Sequence, residues 1–105
     1  MPSSTNGDHK YEVHHSKVVG DSLRHLQRIA TYQGRGTVFI TAFKRIVRAL
    51  QKNPNKAGEP LYRLPGLRLS VRTIVIAPLV IDFAVSENLP HVYIKSGRLL
   101  SLPTS

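Results

Sequence analysis

The sequence predicts an α+β domain in which a helical hairpin packs on one face of a twisted antiparallel sheet of about four strands, in the order β-α-α-β-β-β. Two observations carry this expectation. Apolar residues recur at helical spacing from Val19 to Leu50 and at strand spacing from Leu67 to Ile94. Punctuation by Gly, Pro and Asn falls between these stretches at 34–36, 53–60, 77–78 and 87–90. A third observation concerns charge. From Ser22 to Gly58 the chain has 37 residues without a carboxylate but with eight basic side chains, so this block holds +8 of the formal net charge of +9. An ordinary solvated helix mixes Glu with Lys, because opposite charges at i,i+4 support it and like charges weaken it.

The elements follow in order. Residues 1–9, rich in Ser, Asn and Gly, are expected to be a disordered tail, and residues 101–105 a C-terminal tail, leaving a single domain at 10–100. Residues 10–15 alternate enough for a short strand with Tyr11 and Val13 on one face. Ser16 can cap a helix with Val19, Leu23, Leu26 and Ala30 on its apolar stripe and Lys17, Arg24 and Arg28 on another. The triplet Gly34-Arg35-Gly36 ends it. A second helix turns Phe39, Phe43, Ile46, Val47 and Leu50 inward and Lys44, Arg45, Arg48 and Lys52 outward, until Asn53-Pro54 stops it.

Residues 55–60 read as a loop. Strands are expected at 67–76, 79–86 and 91–95, joined by short connections that make an antiparallel meander. Period two puts Leu67, Leu69, Val71, Leu79, Ile81, Phe83, Val85, Val92 and Ile94 against the helices. It puts Arg68, Ser70, Arg72, Asp82, His91, Tyr93 and Lys95 on the open face, with Arg98 just beyond the last strand.

Composition excludes several classes. Without cysteine there is no disulfide and no thiolate zinc site. No apolar run reaches the roughly 18 residues of a membrane span, and the N-terminus lacks the apolar core of a secretory signal, so a cytoplasmic protein is expected. No cofactor motif is present. His14 and His15 adjoin on a strand and point to opposite faces, while His25 and His91 are distant in sequence, so no metal site is expected. No paired carboxylates and no serine triad can be assembled.

The run N-P-N-K-A-G-E-P-L-Y-R-L-P-G-L-R at 53–68, within this element order and length, resembles the RelE/ParE superfamily of type II toxin–antitoxin toxins. The resemblance spans roughly residues 10–100 and implies an antitoxin partner. It also implies one of two actions: ribosome-dependent cleavage of messenger RNA, or inhibition of DNA gyrase without catalysis. In the cleaving members basic residues line the open sheet face, which on this chain implies Arg68, Arg72, Lys95 and Arg98. Two departures leave that family site incomplete. Val80 stands near a position usually held by arginine, and no tyrosine follows the last strand in Leu99–Ser105.

As chemistry, 2′-hydroxyl attack needs cations to offset charge on the phosphate and a group that moves a proton. Arg68, Arg72, Lys95 and Arg98 suit the first task, with Tyr93, His91 or Asp82 for the second. The same residues also read as a cross-strand charge ladder of Arg72, Asp82 and Lys95. The hairpin's outer cations, Arg24, Arg28, Lys44, Arg45, Arg48 and Lys52, together with Lys95, read as a sequence-blind phosphate contact surface, as a solvated face, or as a seat for an acidic antitoxin segment. Tyr62 and Tyr93 offer surfaces for base stacking or plain packing. The alternative to a toxin is thus a non-enzymatic basic module that binds nucleic acid or an acidic protein.

Overall fold

The computed structural model describes residues 10–101; both expected tails, apart from Ser101, lie outside the described residues. Strand β1 (Glu12–His14) leads into helix α1 (Lys17–Tyr32) and helix α2 (Gly36–Lys52), and strands β2 (Glu59–Leu64), β3 (Leu69–Ile76), β4 (Leu79–Ser86) and β5 (His91–Leu99) follow. Short 3-10 turns at Pro54–Lys56 and Pro65–Leu67 precede β2 and β3.

A side-chain cap starts α1, and a glycine turn separates it from α2. Ser16 Oγ accepts the Val19 N–H at 3.1 Å, satisfying one of the first-turn donors of α1. Gly34 takes the left-handed conformation, with φ at 75°, that turns the chain into α2. Leu23, Ala30, Phe39, Ala42, Ile46 and Leu50 are buried against Leu79, Ile81, Phe83, Val85, Val92 and Ile94, so the hairpin covers one face of the sheet as expected. Gly97 lets α1 sit close to β5, since a Cβ there would lie 2.9 Å from Leu23 Cδ2 and 3.0 Å from Ile81 Cδ1.

The sheet has five strands, not four, in the order β1-β5-β4-β3-β2. It is mixed and not wholly antiparallel, because β1 pairs in parallel with β5. The additional strand is β2, which begins in the expected loop at 55–60 and continues through residues 61–64, where no element is expected. It is an edge strand, exposed at all but its last position, so no inward alternation marks it, and an edge tolerates Pro60 because that position owes the ladder no N–H. At the far end, β5 runs on to Leu99 through a bulge: Phe83 pairs with Ile94 and Asp82 with Ser96, leaving Lys95 as the extra residue.

The larger correction concerns the phase of β3. Its register pairs Arg72 with Phe83, Ser70 with Val85 and Ile74 with Ile81, and directly opposed residues share a face. Arg72 and Ser70 therefore lie on the helix-side face, while Leu69 and Val71 lie on the open one. The alternation misleads because β3 is apolar on both sides. Ile74 and Ile76 meet the helices, whereas Val71, opposite Ala84, is buried on the other face, as is Val80 further along β4.

Candidate functional site

On the open face, the pairing of Tyr62 with Val71 and of Tyr93 with Ala84 sets the layout. Lys95 Nζ donates to the Tyr62 hydroxyl at 2.8 Å and lies 5.3 Å from the centre of its ring. Lys95 belongs to β5 and Tyr62 to β2, so this contact spans β4 and β3 and roofs the patch of Val71 and Ala84. The bulge is what frees Lys95 from the ladder to make that reach.

The basic residues expected to form one open-face cluster do not converge. Arg72 lies on the other face, where its Nε donates to Ala57 O at 2.9 Å and its Nη2 to Gly58 O at 3.1 Å, tying the end of the 54–56 turn to β3. Arg68, at φ 53°, sits at the turn into β3, and its carbonyl accepts the Glu87 N–H at the C-terminal end of β4. Arg98 pairs with Val80 at the opposite end of β4. Six strand residues separate those ends, about 20 Å at roughly 3.3 Å per residue. The two side chains therefore start from opposite ends of the strand. The charge ladder fails too, because Arg72 faces away from Asp82 and Asp82 makes no ion pair among the described residues.

The strongest ion pair of the sheet was not foreseen. Arg63 holds Glu87 through two hydrogen bonds, Nε to Oε2 at 2.7 Å and Nη2 to Oε1 at 2.9 Å, and Ser70 Oγ donates to Oε2 at 3.1 Å. The Arg63 hydrogen bonds hold the Glu87 carboxyl below its ordinary range and push the Arg63 guanidinium up. Only the identification of β2 as a strand places Arg63 opposite Ser70, so no local sequence signal reveals it.

Tyr93, assigned a proton-transfer role, is 39% exposed and stacks on His14, with ring centres 5.3 Å apart and 25° between planes. The same corner holds His91 and Glu12, so histidines far apart in the sequence are neighbours in space.

The hairpin's outer face differs. Arg28, Lys44, Arg45, Arg48 and Lys52 are exposed, and none has a carboxylate partner among the described residues. Arg24 is the exception. It hydrogen-bonds Asp21, which also accepts from Lys17 at 3.1 Å, and the two contacts, Arg24 first, lower the Asp21 carboxyl from its ordinary value. A groove of about 690 Å³ runs along α1, lined by Arg24, Gln27, Arg28, Thr31 and Tyr32. At the Gly34-Arg35-Gly36 turn, Arg35 donates to Leu100 O at 3.0 Å and to Gln33, pinning the end of β5 to the hairpin.

No family model matches this chain, and no curated protein matches it significantly. Among solved structures it is similar to a chain of the chromosomal ParDE TA system from P. aeruginosa, with a TM-score of 0.60 and 14% sequence identity over 89% of this chain and 99% of that one. At that identity the likeness is one of fold. The chain has a RelE/ParE-like fold.

Proposed function

We propose that this chain is the toxin, or a protein derived from the toxin, of a toxin–antitoxin pair, and that it acts by binding and not by cutting. The fold it shares with a chain of the ParDE TA system supports the first half, since nearly the whole of both chains superposes. One observation carries the second half: the cations a nuclease would gather around a scissile phosphate are dispersed, with Arg72 on the far face and Arg68 and Arg98 at opposite ends of β4. Catalysis needs those groups preorganised about one reacting centre. Of the two actions known for the superfamily, inhibition of DNA gyrase requires no such centre. An antitoxin is the partner that this reading implies, and the cytoplasm the compartment; among the described residues no helix is long and apolar enough to cross a membrane.

The test is induced expression with and without the neighbouring reading frame. Growth arrest relieved by the neighbour, with a DNA-damage response and loss of gyrase supercoiling in vitro, is the expected result. Early loss of transcripts that an Arg68→Ala or Arg98→Ala change abolishes would overturn non-enzymatic action, and absence of arrest would overturn the toxin reading.

The outer cations of α2, which have no carboxylate partner among the described residues, favour a second reading, a basic module that grips a polyanion. Its signature is salt dependence. Each phosphate contact contributes about 0.7–0.9 to the slope of log K against log salt, and a slope near zero excludes this reading.

A further inference from the structure

We infer that Glu12, His14 and His91 form a binding site for a divalent transition-metal ion, Zn²⁺ being the best fit. The inference is independent of the proposed toxin role and rests on three atoms. His14 Nε2 lies 3.1 Å from His91 Nδ1, and Glu12 Oε1 lies 3.6 Å from the first and 3.5 Å from the second. A circle through these three atoms has a radius of about 2.0 Å, and three corners of a tetrahedron with metal–ligand bonds of about 2.05 Å lie on a circle of about 1.9 Å. A single ion just off the plane of the three donors reaches all of them at normal zinc distances.

The fold explains the convergence. Glu12 and His14 are two apart on β1 and so share its face. The parallel register sets Glu12 opposite His91 and His14 opposite Tyr93 on β5. Backbone bonds from Glu12 N–H to Pro90 O and from His91 N–H to Leu89 O, each 2.8 Å, hold this corner, and the Tyr93 ring orients the His14 imidazole.

A hydrogen bond between the two imidazoles accounts for the shortest separation alone. It requires one nitrogen to carry a proton and the other a lone pair, which leaves a carboxylate oxygen facing an unprotonated nitrogen at a distance too long for any hydrogen bond. A cation at the centre satisfies all three donors at once. Glu12 is 72% exposed, His14 43% and His91 30%, so a fourth position opens to water. The ion is therefore exchangeable, unlike one in a closed structural site. Imidazole donors also suit Ni²⁺ and Cu²⁺, whereas Mg²⁺ and Ca²⁺ prefer all-oxygen sites. Its structural consequence is a clamp between β1, with only three paired residues, and the rest of the sheet.

The experiment is calorimetric titration of untagged full-length protein with Zn²⁺, paired with thermal unfolding with and without the ion and with Co²⁺ spectroscopy. One ion per chain is expected, with a raised midpoint that EDTA returns to its starting value and with the visible bands of four-coordinate Co²⁺. His14→Ala, His91→Ala and the near-isosteric Glu12→Gln should each weaken binding by about tenfold or more, because each removes one of three protein donors. His15→Ala and His25→Ala should leave it unchanged. Circular dichroism establishes that the variants fold, which the exposure of all three side chains favours. Absence of saturable binding, or binding that His14→Ala and His91→Ala leave intact, overturns the site. Equal losses in the His15 and His25 variants do so as well.

Discussion

The cations of the sheet and those of the hairpin's outer face are of one chemical kind but are used differently. On the sheet, Arg63 is engaged by Glu87, Arg72 by the carbonyls of Ala57 and Gly58, and Lys95 by Tyr62. Among the described residues, Arg68 and Arg98, at opposite ends of β4, are the sheet cations without such partners. On α2, Lys44, Arg45, Arg48 and Lys52 have neither a carboxylate nor a carbonyl among the described residues. Charge on the sheet holds the fold, whereas charge on the hairpin is left for something outside it. Substitutions should therefore cost stability in the first region and binding in the second.

The largest effect should come from the loop that Arg72 anchors. Gly58 has φ at 64°, and a Cβ there would lie 1.9 Å from Thr73 O, inside backbone that cannot yield. Gly58→Ala should destabilise by at least about 3 kcal/mol, read by urea unfolding, because left-handed strain adds to the clash. Next is Arg72→Met, which keeps the apolar stem beside Phe83 but removes two charge-assisted bonds, for a loss of about 1.5–3 kcal/mol. An unchanged midpoint for this variant would break the contrast, since Arg72 would then be as free as Arg48.

These two residues also mark how far the sequence is legible. Both helices were readable because each shows one apolar stripe and a stop signal, and β4 because apolar residues run its whole length between two turns. Strand β2 was not, because an edge strand exposed on both faces leaves no periodic trace and Pro60 closes the run that reads as a loop. Strand β3 is legible as a strand but not in its phase, since Val71 and Ile74 are both buried, on opposite faces, and only pairing with β4 decides between them. The face of Arg72 depends on that phase. The corner of Glu12, His14 and His91 depends on parallel pairing between the first and last strands, a non-local fact with no counterpart in either strand's own residues.

A smaller and more diagnostic effect is expected on α2. Arg48 stands four residues from both Lys44 and Lys52, so this helix carries two like-charge i,i+4 pairs. Arg48→Glu converts both to attractions and should stabilise the protein by about 0.5–1 kcal/mol. The same change should weaken association with single-stranded RNA and lower the salt slope. A gain in stability with a loss of binding is what a surface kept for a partner requires. A gain in stability with binding unchanged would mean that the face is only solvated.

Acid should separate the two regions with the smallest effect of the series. Glu87, ordinarily at 4.5, is held lower in the folded chain, first by its hydrogen bonds to Arg63. In the window just below 4.5 the unfolded chain therefore binds more protons at this site than the folded one does. Stability rises with pH there, and it is lost as pH falls through the depressed folded value. Asp21, ordinarily at 3.8 and lowered mainly by Arg24, behaves in the same sense slightly further into acid. Helix α2 contains no carboxylate, so nothing on its surface can respond. Amide exchange followed from pH 6 to pH 3 should show earlier loss of protection where Arg63, Ser70 and Glu87 meet than along α2. Glu87→Gln should flatten the dependence in that first window and leave the second, which belongs to Asp21. If the acid response of Glu87→Gln matched that of the native chain, the Arg63 pair would be a solvated contact, and the sheet's claim to hold its own charge would rest on Arg72 and Lys95 alone.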